Sequence, residues 1–291
     1  MKEFIEYNYD LVCNDLKALD DLLYFTYADK YYIISAFDRD PVEFEKIINF
    51  LMVNNIKFLN IIINKSGKYI SEFNGKQYVI LISNENNIIL DFPMNRYVLL
   101  DMKNSWGDMW ASRVLQLEKQ KNELKLSKDV YYILNYYIGL IEICLFNYNF
   151  IIKRFGEISK SCIQHNRIRV PLYSFSYYNP VNFLFDYSFR DLAEYIKICF
   201  FNEEFSIDDA AKIVNSYSFD DFSANMFLVR MLYPTYFLEE YDCQSKDSIY
   251  LTSFSKIIKK SSQYENFLLD LINVMSKNYN IVVKFPFIYL R

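Results

Sequence analysis

Glycine and histidine are in short supply in this 291-residue chain, which has five of the first, at 67, 75, 107, 139 and 156, and one of the second, His165. The glycines stand far apart, and no glycine-containing loop that would cradle phosphates is recognisable. A single histidine, with five cysteines (Cys13, Cys144, Cys162, Cys199 and Cys243) that show no CxxC spacing, argues against a zinc site. Cys144 and Cys199 fall on apolar helical patterns, where free thiols pack as small hydrophobes, so synthesis in a reducing cytoplasm is expected. Excess positive charge is missing too. The formal net charge is -4, which supplies no field for nucleic acid, and the cluster Lys256, Lys259 and Lys260 reads as a solvated helix face. No signal peptide precedes Glu3 and Glu6, and no run approaches the roughly 18 apolar residues of a membrane span. Neither nucleic acid nor a membrane is an expected partner.

Apolar and aromatic residues are abundant: the chain is 52% hydrophobic, with 27 Tyr and 26 Phe. Such a composition excludes a disordered polar chain, and the length allows two domains or one bilobal unit. From Leu22 to Ser83 short strand-like runs alternate with turn signals. LLYFTYA and YYIISAF flank a hairpin at Asp29-Lys30. FLNIIIN, KYISEF and QYVILIS are separated by Lys65-Ser66-Gly67 and by Asn74-Gly75, a strong tight-turn pair. One helix interrupts them, with Asp40 as N-cap, Pro41 at its first position, Glu43 placed to reach back to the cap, and an apolar stripe of Phe44, Ile47, Ile48 and Leu51. After Asp101 the pattern turns helical: 106–126, 128–149 behind Ser127, 191–204, 207–217 behind Ser206, 220–241 interrupted at Pro234, and 248–278. Domains are expected at 1–100 and 101–291, joined by a hinge at 84–104.

Three segments, YYIGLIEICL at 136–145, NPVNFLFDYSFRDLAEYIK at 179–197 and FLVRMLYPTYFLEEY at 227–241, resemble the YutH-type spore coat proteins. These are kinase-like relatives of the CotS group and, more distantly, of the aminoglycoside phosphotransferases. The resemblance implies an α+β, bilobal protein-kinase-like fold with a mainly β N-terminal lobe and a mainly α C-terminal lobe. It also implies a place in the spore coat after synthesis in the mother-cell cytoplasm. Active relatives use a His-Gly-Asp loop, an Asn five residues after that Asp, and a second Asp on a following strand, the last two for magnesium. Laid on this pattern, His165 keeps the family's His, while Asn166 stands at the Gly, Arg167 at the catalytic Asp and Leu172 at the metal-binding Asn. A guanidinium accepts no proton at accessible pH. The strand expected to carry the phosphate-binding lysine, KYYIISAF, has Ile34, Ser35 and Ala36 in its interior, and its Lys30 lies at the turn.

Asp186, at the end of the buried-looking run VNFLF, is the best surviving carboxylate and the remnant of a metal site if there is one; a cap aspartate ahead of the next helix is the competing reading. Asp191 stands at a helix start, where a carboxylate favours the exposed amides, and Arg190 reads as an internal ion-pair partner. Arg167 is expected to pair with Asp186 or Asp191. His165 has no nucleophile signature around it and reads as a residue that organises its loop. Tyr131, Tyr132, Tyr136 and Tyr137, and the pair Trp106 and Trp110, are expected mostly as packing residues. An interaction surface is expected on the helix interrupted at Pro234, at Met231, Leu232, Tyr233, Tyr236 and Phe237, because aromatic side chains anchor interfaces. Its partners would be other spore coat proteins, with self-association left open. Together with the resemblance, these residues imply a catalytically degenerate kinase-like coat component that needs no cofactor. The alternative is an active small-molecule phosphotransferase that uses ATP and magnesium through displaced catalytic groups.

Overall fold

The computed structural model describes residues 1–19, 22–89, 92, 100–101, 104–124, 126–157, 160–202, 205–244 and 251–285. The chain begins with α1 (Lys2–Tyr9), β1 (Lys17–Leu19), β2 (Leu22–Tyr27), β3 (Lys30–Phe37), α2 (Pro41–Val53), β4 (Asn60–Ile62), β5 (Ile70–Phe73), β6 (Lys76–Ser83) and β7 (Ile88–Ile89). Next come β8 (Leu100–Asp101), α3 (Trp106–Glu123), α4 (Lys128–Phe155), β9 (Lys160–His165), β10 (Leu172–Tyr173), α5 (Ser174–Tyr177) and β11 (Phe183–Asp186). The remainder is helical: α6 (Arg190–Asn202), α7 (Ile207–Asn215), α8 (Asp221–Leu232), α9 (Thr235–Cys243) and α10 (Ser255–Met275). Most of the hinge expected at 84–104 lies outside the described residues.

Two compact units divide the chain: Met1–Val98 with Cys162–Phe185, and Leu99–Ser161 with Asp186–Arg291. Residues 162–185, expected in the helical region, belong with the N-terminal strands because Ile163, Phe175, Val181 and Phe183 join the strands' own core.

In the first unit the sheet runs β1-β2-β3-β6-β4, with β5 also paired to β6. Ala28 and Asp29 take positive φ of 50° and 58° between β2 and β3, and Asn74 and Gly75 take 51° and 72° between β5 and β6. Two consecutive left-handed residues match the twist of the flanking strands, which is why these short loops close antiparallel pairs. Pleating then sorts β3 into two faces. Tyr32 and Ile34 pack with Phe25 and Ile80 under Phe4, Ile5 and Tyr9 of α1. Tyr31, Ile33, Ser35 and Phe37 face the other way, toward the core that contains the α2 stripe of Phe44, Ile47, Ile48 and Leu51. Asp40 caps α2 by accepting from the Val42 amide at 3.0 Å, but Glu43 pairs with Arg39 at 2.9 Å rather than completing a capping box.

In the second unit α4 is long and apolar enough, by length and composition, to cross a membrane, contrary to the expectation that no run approaches that limit. Its stripe of Val130, Leu134, Tyr137, Ile141, Cys144, Tyr148 and Ile151 recurs at helical spacing and is buried, with α3 and α8 packed beside it. Gly107 permits the approach of α3: a Cβ there would stand 2.8 Å from the Tyr148 ring. Pro234, expected to kink or divide the helix at 220–241, divides it into α8 and α9.

Candidate functional site

The loop that follows β9 starts at His165, which is buried. Its Nε2 donates to the Tyr177 carbonyl at 2.7 Å, and its ring packs on Tyr177 and Phe183 at 4.4 and 4.9 Å. These are the contacts of a packing and hydrogen-bonding histidine. Asn182 clamps the next turn: the Arg167 amide donates to Asn182 Oδ1 at 3.0 Å, Asn182 Nδ2 donates to the Arg167 carbonyl at 2.8 Å, and the Asn166 amide donates to the Asn182 carbonyl at 2.7 Å. Arg39 donates to the carbonyls of Val181 and Phe183. The Arg167 side chain itself is exposed, and the clamp holds its backbone amide and carbonyl.

Residues 172–182 lie on the Ser35 face of the sheet. β10 pairs with β7, the Ser174 amide donates to the Asn87 carbonyl at 2.9 Å, and the Leu59 amide donates to the Tyr178 carbonyl at 2.8 Å. Asn179 Nδ2 donates to Ser35 Oγ at 3.0 Å with both side chains buried, and Phe175 is fully buried with its ring 5.6 and 5.3 Å from those of Tyr24 and Tyr31. In a kinase the strand before the first long helix offers a lysine to the phosphates, and that helix offers the lysine a glutamate. Here the corresponding strand face carries Tyr31, Ile33, Ser35 and Phe37, Lys30 is exposed at the turn, and the inward face of α2 is wholly apolar. The sequence between β1 and β2 is Asp20-Asp21, whose placement lies outside the described residues; carboxylates in a phosphate loop would repel their ligand. Beside Ser35 and Asn179 lies a cavity of about 220 Å³ whose lining includes Asn166, Arg167, Arg169 and Ser176.

Asp186 ends β11 and is buried, and the groups that bond its carboxylate come from its own unit. Its Oδ2 accepts from Trp106 Nε1 at 2.9 Å and from Arg190 Nη1 at 2.7 Å, and its Oδ1 accepts from the Tyr187 amide at 2.7 Å. A cation at this carboxylate would have to displace a guanidinium. Asp191 is buried in the first turn of α6, and Arg190 is the internal partner the sequence suggested. Among the described residues no three His, Cys, Asp or Glu side chains come together in a metal-ligating group. One polar network was not foreseen. Glu194 Oε1 receives Lys197 Nζ at 2.9 Å and Arg230 Nε at 2.6 Å, and Glu194 Oε2 receives Thr235 Oγ1 at 2.6 Å. Lys197 also donates to the carbonyls of Arg230 and Tyr233 at 3.0 and 3.1 Å, which closes the C-terminal end of α8. Burial opposes the ionisation of Glu194, but Arg230, Lys197 and Arg190 together hold its carboxyl down at about 2, while burial pulls the Lys197 ammonium down. A Glu and a Lys three apart on an apolar helix face were the available signal.

The interaction patch expected at Met231, Leu232, Tyr233, Tyr236 and Phe237 is instead interior. Met231, Leu232, Tyr233 and Phe237 are buried, and Tyr236 is half-buried with its ring stacked on Phe201 at 4.0 Å. Tyr233 stacks on Trp110 at 4.7 Å and Phe237 on Tyr137 at 3.8 Å. An apolar helix surrounded on all sides has no outer face for interface anchors. The reverse correction applies on α4, where Tyr131, Tyr132 and Tyr136 are exposed and only Tyr137 of the four is buried, because the stripe from Val130 to Ile151 turns the other three outward. Trp106 and Trp110 pack as expected, stacked at 5.1 Å, although no sequence pattern marks Trp106 as a donor to Asp186.

The fold recurs in solved phosphotransferase structures. An aminoglycoside phosphotransferase from Alicyclobacillus acidocaldarius is 10% identical with a TM-score of 0.60, covering 92% of this chain and 93% of its own. Spectinomycin phosphotransferase APH(9)-Ia, solved in complex with ADP and spectinomycin, is 10% identical with a TM-score of 0.54, covering 94% and 95%. At that identity the likeness establishes the fold, which is the kinase-like α+β fold expected, with an antiparallel sheet in the N-terminal region and helices in the C-terminal region. No curated protein matches the chain. Residues 92–271, more than half the chain, match the family described as "Spore coat putative kinase YutH", and the chain belongs to this kinase-like spore coat family.

Proposed function

We propose that this protein is a catalytically degenerate kinase-like component of the spore coat, made in the mother-cell cytoplasm and working by binding other coat proteins rather than by phosphoryl transfer. The observation that carries the reading is the seating of residues 172–182 on the Ser35 face of the sheet, held by the Asn179–Ser35 hydrogen bond and by buried Phe175. On this reading the chain fills with its own atoms the strand face that a kinase leaves open for a nucleotide. Three substitutions of chemistry agree with it: Arg167 at the proton acceptor's position, an apolar α2 face in place of a lysine partner, and an Asp186 already engaged by Trp106 and Arg190. Membership of a spore coat family supports the location, and the lack of excess positive charge supports protein rather than nucleic-acid partners.

Thermal unfolding with millimolar ATP or GTP and magnesium tests the reading. A ligand present at about 100 times its dissociation constant raises stability by about 2.7 kcal/mol, a shift such an assay registers readily. No magnesium-dependent shift is expected. A saturable shift that requires magnesium would instead support the active phosphotransferase.

A further inference from the structure

We infer that the outer face of α4, at its C-terminal end, docks an acidic segment of a partner protein that also carries an apolar anchor. The inference rests on the coat-binding reading above and names the surface and the chemistry of the partner. Phe146 and Phe150 stand one turn apart on that face with their rings stacked at 6.4 Å, and Phe146 is 54% exposed. Lys153 and Arg154 follow on the same side in the last turn, and both are exposed.

A second segment completes the patch. Asn147, fully buried on the flank of α4, holds the backbone of Lys284: the Lys284 amide donates to Asn147 Oδ1 at 2.6 Å, and Asn147 Nδ2 donates to the Lys284 carbonyl at 2.9 Å. Val283 and Phe285 are buried on either side, so the exposed Lys284 side chain turns outward, with its ammonium 5.2 Å from the centre of the Phe150 ring. Lys153, Arg154 and Lys284 form no ion pair among the described residues. Neither 143–156 nor 281–285 contains an Asp or a Glu, and the carboxylates that bracket the patch on α4 and beyond it are Glu142 and Glu157. Glu142 lies about 16 Å before Lys153 along the helix, farther than the Debye length of roughly 8 Å at physiological salt. With Glu157 counted against them, the three cations leave an excess of two positive charges, in a chain whose net charge is -4. The negative helix end favours Lys153 and Arg154, but it makes no demand on Lys284, which arrives from a separate segment. Cations around an exposed ring complement carboxylates that flank an apolar anchor. A bilayer fits less well, because Phe150 is half-buried and covered by Lys284, which leaves Phe146 as the one ring free to enter acyl chains.

Fluorescence anisotropy at low salt is the test, using a labelled peptide of Glu-Glu-Phe repeats on the full chain and on Lys153→Glu, Lys284→Glu and Phe146→Ala. Saturable binding is expected, weakened by added salt, about tenfold by each charge reversal and severalfold by Phe146→Ala. Melting curves show whether each variant is folded, and Phe146→Ala keeps the test open if a charge reversal destabilises the chain. No saturable binding overturns the inference, as does binding that all three variants leave unchanged or that a peptide of Lys-Lys-Phe repeats matches. Vesicles of phosphatidylcholine and phosphatidylglycerol, captured where the peptide is not, would reassign the face to a bilayer. A dimer of the free chain that the same variants dissociate would reassign it to a second copy, and either result overturns the inference. If the peptide fails, only this surface falls; if magnesium-ATP binds saturably, the degenerate reading falls whatever the peptide does.

Discussion

Charge sits at 167 and 186 with opposite consequences. Arg167 is exposed, and exposed charged contacts contribute little, so Arg167→Ala is expected to change stability by no more than about 1 kcal/mol. Asp186→Ala removes the carboxylate that accepts from the buried Arg190 guanidinium and the Trp106 indole N–H, which should cost about 3–5 kcal/mol. Urea denaturation of both variants distinguishes the roles, and comparable losses would mean that the exposed Arg167 side chain carries as much stability as the buried carboxylate. Glu194 gives a pH signature. Unfolded, its carboxyl titrates near 4.5; folded, burial opposes its ionisation, yet Arg230, Lys197 and Arg190 outweigh burial and hold it at about 2. Between those values the unfolded chain binds more protons, so the stabilisation, about 3 kcal/mol, is complete above the upper value and is lost as pH falls toward the lower one. Glu194→Gln should flatten that acid limb while lowering stability at neutral pH; an unchanged limb would assign the acid sensitivity elsewhere. The sequence disclosed what stands at 165–167 but not what holds it, because Asn182 reaches the Arg167 backbone across fifteen residues and such a contact leaves no local pattern.

Elements bounded by local chemistry were readable from the residues alone. Asp40 and Pro41 start α2, Ser127 starts α4 by accepting from the Val130 amide, and Ser206 with Asp209 forms the capping box of α7. Helix packing was not readable. The same apolar residues that mark α8 as a helix fail to say that it is enclosed, and this is why Tyr233 and Phe237 turned out to be interior. Two glycines separate propensity from packing. Gly139 lies within α4, and a methyl group added there would meet no neighbouring atom within 4 Å, so Gly139→Ala should stabilise by up to about 1 kcal/mol. Gly107→Ala places its methyl 2.8 Å from the buried Tyr148 ring and should cost about 1–3 kcal/mol. Equal effects in chemical denaturation would show that α3 does not need this approach to α4.

At the scale of the molecule, the kinase-like fold persists at 10% identity to a solved phosphotransferase because burial pattern, turns and caps suffice to specify a fold, and folding makes no demand on the residues that perform phosphoryl transfer. Residues 162–185 illustrate the limit of reading a chain linearly. They pack with strands about a hundred residues earlier, and only the folded contacts of Phe175, Val181 and Phe183 assign them there. Function turns on whether this segment occupies the strand face a nucleotide would need. The decisive measurement is amide hydrogen exchange at Leu59 and Ser174, followed with and without magnesium-ATP, since these two amides tie the segment to the chain around it. Slow exchange in the free protein, unchanged by magnesium-ATP, is expected if the segment is a fixed part of the fold. Rapid exchange that becomes protected when magnesium-ATP is added would mean that the segment yields to a nucleotide, and the degenerate reading would fall.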